Sequence, residues 1–100
     1  MESKLTGKQK RYLRSLGNGI DHRYLLGKGE IDDAFLNVLD KALEAKELIK
    51  VGLLQSSELT PEDAAETICR KLHCELAQVI GRVLLLYRPS EHHKTIELPR

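Results

Sequence analysis

The stretch Ile20-Asp21-His22-Arg23-Tyr24-Leu25-Leu26, running into Gly27-Lys28-Gly29-Glu30-Ile31-Asp32-Asp33, decides the fold. Residues 20–26 alternate roughly between apolar and polar and predict a strand. Beyond the glycines, Ala34, Phe35, Val38, Leu39, Ala42 and Leu43 recur at helical spacing and form the apolar stripe of a helix. Asp32 and Asp33 fall in its first turn and Lys41 and Lys46 towards its end, the charge order the helix dipole favours. A strand feeding a helix through a short turn opens a strand-helix-strand unit. Glycine permits a sharp turn and close approach of another molecule. A helix start presents unpaired N–H groups. Gly27-Lys28-Gly29 is therefore a candidate phosphate cradle as well as a turn.

Towards the N-terminus, Thr6-Gly7-Lys8-Gln9 has the form of a capping box and predicts a helix ended by Gly17. On that helix Gln9, Tyr12, Leu13 and Leu16 share one face. Lys10, Arg11 and Arg14 share the other, with Lys8 at its edge. Towards the C-terminus, 48–54 is rich in β-formers and predicts a second strand. Thr60-Pro61-Glu62-Asp63 starts a third helix, whose buried stripe includes Ile68 and Cys69. Two strands follow, 75–80 and 83–87, too close for a crossover, so they pair as a hairpin. The last, Val83-Leu84-Leu85-Leu86-Tyr87, is nearly all apolar, as a central strand is. The order is α-β-α-β-α-β-β: an α/β (α+β) domain over 1–89, with a four-stranded mixed sheet and helices packed on it. Residues 90–100 read as a frayed, flexible tail.

Composition narrows the function. The 100 residues make one domain with a modest core, and net charge is only +1. Charge is unevenly spread. Residues 1–28 hold seven basic residues against two acidic, a balance of +5; 29–69 hold three against ten, −7; 70–100 hold six against three, +3. Basic ends enclosing an acidic middle suit a protein that meets a polyanion with one face. No apolar run approaches the roughly 20 residues of a membrane span, and the N-terminus has no signal-peptide core; the expectation is a cytoplasmic monomer. Nucleophile-elbow, Walker A and HExxH patterns are missing. Cys69, His73 and Cys74 match no standard zinc spacing. The expectation is a non-enzyme without cofactor or metal.

Three stretches together carry a family resemblance: 5–14 (Leu5-Thr6-Gly7-Lys8-Gln9-Lys10-Arg11-Tyr12-Leu13-Arg14), Leu26-Gly27-Lys28-Gly29 leading into a helix, and 78–89 (Gln78-Val79-Ile80-Gly81-Arg82-Val83-Leu84-Leu85-Leu86-Tyr87-Arg88-Pro89). The chain resembles the bacterial stand-alone CRM-domain, YhbY-like RNA-binding proteins over residues 4–89. The resemblance implies a fold like the C-terminal domain of translation initiation factor three, related to KH domains. It also implies RNA as partner, with association with precursors of the large ribosomal subunit. The family's Gly-x-x-Gly loop falls on Gly27, Lys28, Gly29 and Glu30; the last position departs from the pattern, and a carboxylate facing RNA would repel phosphate. The expected RNA-binding residues are Lys8, Lys10, Arg11, Arg14, Gly27, Lys28 and Gly29, with Arg82 and Arg88 extending the surface. With one Phe and three Tyr, affinity should rest on backbone charge and RNA shape more than on base reading. The alternative is a protein-interaction domain whose acidic middle meets a basic ribosomal protein or assembly factor.

Overall fold

Capping side chains set the start of every helix. In the computed structural model, which describes residues 4–29 and 31–100, the elements are α1 (Gly7–Gly17), β1 (Arg23–Leu26), α2 (Asp33–Lys46), β2 (Leu48–Leu53), α3 (Pro61–Leu72), β3 (Glu75–Ile80) and β4 (Val83–Tyr87). Before α1, the Gln9 N–H donates to Thr6 Oγ1 at 3.1 Å and the Thr6 N–H donates to Gln9 Oε1 at 3.0 Å, the reciprocal box expected there. The Phe35 N–H donates to Asp32 Oδ1 at 2.8 Å before α2, and the Asp63 N–H to Thr60 Oγ1 at 3.1 Å before α3. Each such cap stabilises its helix by about 1 kcal/mol.

The strands form one mixed sheet in the order β1-β2-β4-β3. β1 and β2 are parallel, joined across α2, with Arg23 opposite Lys50 and Leu25 opposite Gly52. β4 lies antiparallel between β2 and β3, which makes the apolar run 83–87 a central strand, as its composition predicts. The β3–β4 hairpin turns at Gly81, whose φ of 56° favours glycine.

Alternation along the strands divides the sheet into two unequal faces. Ile49, Val51, Leu84 and Leu86 point to one face and bury α2 and α3 there through Leu39, Leu43, Ala65 and Ile68. Cys69 and Cys74 lie in this core, their sulfurs 3.6 Å apart; the Cys74 thiol beside it, together with burial, pushes the Cys69 thiol pKa up. Leu48, Ala77, Leu85 and Tyr87 belong to the second face, where α1 packs through the fully buried Leu13. Trimming Leu13 to alanine would cost about 2–5 kcal/mol.

Four details differ from the sequence reading. Gly17 is the last residue of α1, as expected, but not by a left-handed turn; it remains helical and buried, and a Cβ there would lie 3.0 Å from Leu85 Cδ2, so glycine serves close packing on the sheet. The first strand begins at Arg23 rather than Ile20, because the Gly19 and Ile20 N–H groups still bond back to Leu16 and Gly17. Ala34 and Val38 are exposed, leaving a narrower apolar stripe on α2.

The fourth is the tail. Residues 90–100, expected to fray, are docked. Glu47, buried at the α2 C-cap with φ 66°, accepts from the N–H groups of Ser90, Thr95 and Ile96 at 2.9, 2.6 and 2.9 Å, and from the Thr95 hydroxyl at 3.1 Å. Burial pushes the Glu47 carboxyl pKa up, but these donors outweigh it and hold it below its ordinary value. The Ser90 hydroxyl and the N–H groups of Glu91 and His92 bind Glu44, holding its pKa at about 2. Ile96 and Leu98 then pack beside Leu13, and Gln9 Nε2 donates to the Pro99 carbonyl at 3.0 Å. The sequence shows the tail's polarity but not the two carboxylates waiting for its N–H groups.

Candidate functional site

Anchoring α1 through Leu13 and Gly17 turns its basic residues outward. Lys8, Arg11 and Arg14 are exposed and Lys10 half-exposed. Among the described residues none of the four pairs with a carboxylate. Like charges on neighbouring turns cost a few tenths of a kcal/mol per pair. Such a stripe costs local stability with no ion pair among the described residues to offset it.

The sheet extends the stripe. Register sets Arg23 of β1 beside Lys50 of β2 on the face that carries α1, and continues the row to Leu85 and Gln78. Arg14 and Asn18 at the end of α1 close over this row. The result is a recess of about 110 Å³ lined by Arg14, Gly17, Asn18, Arg23, Lys50 and Gln78, with Ile80, Val83 and Leu85. Lys50 Nζ donates to the Ile20 carbonyl at 3.0 Å, which fixes the ammonium and leaves it two further protons to donate. Sequence reasoning missed Arg23, Lys50 and Gln78. A lone lysine inside the apolar run 48–54 was the available signal, but its neighbours come from strand register.

At the glycine loop the two glycines differ. Gly29 has φ 107° and open space around it, so its backbone calls for glycine. Gly27 has an ordinary φ, and a Cβ there would make only van der Waals contact with Leu54. Lys28 is exposed between them. The α2 N-terminus, expected to offer its N–H groups and dipole to phosphate, carries its own carboxylates: Asp32 caps it and Asp33 occupies the first turn. These acids oppose an incoming anion, which moves the weight of any phosphate contact here onto Lys28. Glu30 lies outside the described residues.

Arg82 and Arg88 are turned to internal work. Arg82 Nε donates to the Leu53 carbonyl at 3.1 Å and Arg82 Nη2 to the Leu54 and Ser57 carbonyls at 2.9 and 3.4 Å, satisfying acceptors where β2 leaves the sheet. Arg88 Nη1 donates to Asp40 Oδ1 at 2.7 Å and to the Leu72 carbonyl at 2.9 Å, and Arg88 Nη2 donates to the Asp40 carbonyl at 3.0 Å. It ties α2, the end of α3 and β4 together. Lys8, Lys10, Arg11 and Arg14 share α1; Lys28 stands on the glycine loop; Arg88 is held among α2, α3 and β4.

Residues 5–88 match the model of the CRS1 / YhbY (CRM) domain. The "Probable RNA-binding protein YqeI" of Bacillus subtilis is 43% identical over 95 residues, 95% of this chain and 99% of its own. The "RNA-binding protein" of Haemophilus influenzae is 35% identical over 96 residues, 96% of each chain. The solution structure of SAV1595 from Staphylococcus aureus superposes with a TM-score of 0.76 at 46% identity, covering 95% of this chain and 99% of that one.

Proposed function

The chain belongs to the CRS1 / YhbY (CRM) domain family, and from that premise we propose that it is a non-catalytic RNA-binding protein acting in the cytoplasm on ribosomal RNA during large-subunit assembly. The observation that carries the reading is the cationic surface, without a carboxylate partner among the described residues, formed by Lys8, Lys10, Arg11 and Arg14 on α1 and continued by Arg23 and Lys50 on the sheet. Close relatives bearing RNA-binding names support the same ligand. Phosphates contact the α1 stripe and Lys28. The guanidinium groups supply forked, charge-assisted hydrogen bonds to phosphate oxygens. Affinity is mainly electrostatic and falls with salt as counterions are released. The protein acts as a monomer.

Co-sedimentation through a sucrose gradient, followed by crosslink mapping on the RNA, tests the proposal. It expects the chain in large-subunit precursor fractions, crosslinked to RNA, and salt-sensitive binding to protein-free ribosomal RNA. Association only with protein-containing particles, unchanged when the stripe is neutralised, would favour a protein-interaction domain instead.

A further inference from the structure

Only one face of the sheet is fully covered. On the other, α1 and the docked tail protect Leu48, Leu85, Ala77 and Tyr87. They leave the next row, Leu25–Gly52–Val83–Ile80, open. Leu25 is 56% exposed and Ile80 63%. Gly52 brings no side chain to the middle of the row, and the Leu25 side chain leans over it: a Cβ on Gly52 would sit 3.2 Å from Leu25 Cδ2. The outcome is a flat aliphatic floor in a sheet that is otherwise well buried. A contiguous exposed apolar row is where a binding surface is to be sought.

The rim of the floor selects the occupant. Arg14, Arg23 and Lys50 stand along one side, no carboxylate lines the recess they form, and none of the three forms an ion pair among the described residues. The half-buried Gln78 side chain makes no hydrogen bond among the described residues, so its donor and acceptor are both available. The recess, about 110 Å³, is well below the roughly 300–1,000 Å³ of a small-molecule pocket. An apolar floor, a cationic rim and one free amide match a polyanion that carries flat apolar faces with polar edges. Duplex RNA hides those faces; a single strand exposes them.

We propose that this half-face seats single-stranded RNA, with one or two unstacked bases on Leu25, Val83 and Ile80 across Gly52, the backbone phosphates on Arg14, Arg23 and Lys50, and a base edge against Gln78. The inference rests on the RNA-binding reading and deepens it. The stripe and the rim would hold any RNA; the floor selects unpaired segments. β1 runs from Arg23 directly into Gly27, so a strand crossing the floor along β1 leads from α1 to the glycine loop and joins the two sites the sequence marks separately.

The test compares a labelled single-stranded RNA with the same RNA annealed to its complement, using the full chain and fluorescence anisotropy. Leu25→Ala with Ile80→Ala should lower single-strand affinity roughly tenfold, the scale of losing the apolar area one base covers, and leave duplex affinity unchanged. Arg23→Gln with Lys50→Gln should weaken both. Gln78→Ala should change the ranking of homopolymer strands. Circular dichroism checks folding, and the single Ile80→Ala variant replaces the double if the latter does not fold. If the wild type binds no RNA, the functional proposal fails with this one. If it binds, loses affinity on charge reversal of α1, yet keeps its single-strand affinity in the floor variants, this inference alone is overturned. Floor variants that keep RNA affinity but leave the ribosomal particles would assign the surface to a protein and overturn it too.

Discussion

Arg88 Nη1 lies 2.7 Å from Asp40 Oδ1, and the same guanidinium donates to the Leu72 and Asp40 carbonyls. An arginine that the sequence offers as an RNA contact is thus a clamp between α2, the end of α3 and β4. Its side chain is only 18% exposed, so removal strands two carbonyls in partly buried surroundings, while the 49% exposed Asp40 carboxylate returns to water.

Arg88→Ala should therefore destabilise the fold by about 1–3 kcal/mol, read from the denaturant midpoint. RNA affinity of the folded fraction should not change. Arg88→Lys should recover only part of the loss, because an ammonium cannot reproduce the fork. A silent Arg88→Ala would show that the clamp contributes nothing.

The docked tail makes stability sensitive to acid. Glu44 and Glu47 both have carboxyl pKa values below the ordinary 4.5, Glu44 at about 2. Depressed carboxylate pKa values contribute stability that is present above the unfolded value and lost as pH falls through the folded one. Stability should hold above about pH 4.5 and decline between there and about pH 2. Glu47→Gln should lower the neutral-pH melting temperature and flatten that acid limb. Hydrogen exchange at Ser90, Thr95 and Ile96 should accelerate in the variant. An acid limb with the wild-type slope would remove Glu47 from the account.

For the loop, Lys28→Ala should weaken RNA binding about equally across sequences and reduce the salt slope by about 0.7 on a single strand, since one fewer phosphate is neutralised. Glu30→Gln should tighten binding slightly, by less than about 1 kcal/mol, by removing a like charge whose repulsion of phosphate salt screens. If both are silent, Gly27-Lys28-Gly29 is a structural turn.

The order of elements was legible because each has a local cause. Thr6-x-x-Gln9 and Thr60-Pro61 cap α1 and α3, the acids Asp32 and Asp33 mark the start of α2, and the run 83–87 announces a central strand. The α1 stripe was legible too, since helical spacing alone puts Lys10, Arg11 and Arg14 on one face. What stayed hidden depends on distant partners. Strand register brings Arg23, Lys50 and Gln78 together. Asp40 captures Arg88, and the carbonyls leaving β2 capture Arg82. Glu44 and Glu47 pin a tail more than 40 residues away in sequence. Local periodicity carries no trace of such pairings. It also offered the α2 start as a phosphate site, where the Asp32 side chain already accepts from the Phe35 N–H.

The most direct test of the central claim is charge reversal on α1. Arg11→Glu with Arg14→Glu changes two exposed side chains opposite the buried Leu13, so circular dichroism and the melting temperature should match the wild type. Binding of the folded double variant to protein-free ribosomal RNA, measured by anisotropy at fixed salt, should fall by at least roughly a hundredfold, with a shallower dependence on salt. Wild-type affinity in the folded double variant would contradict the account, because the surface on which it rests would not be touching RNA.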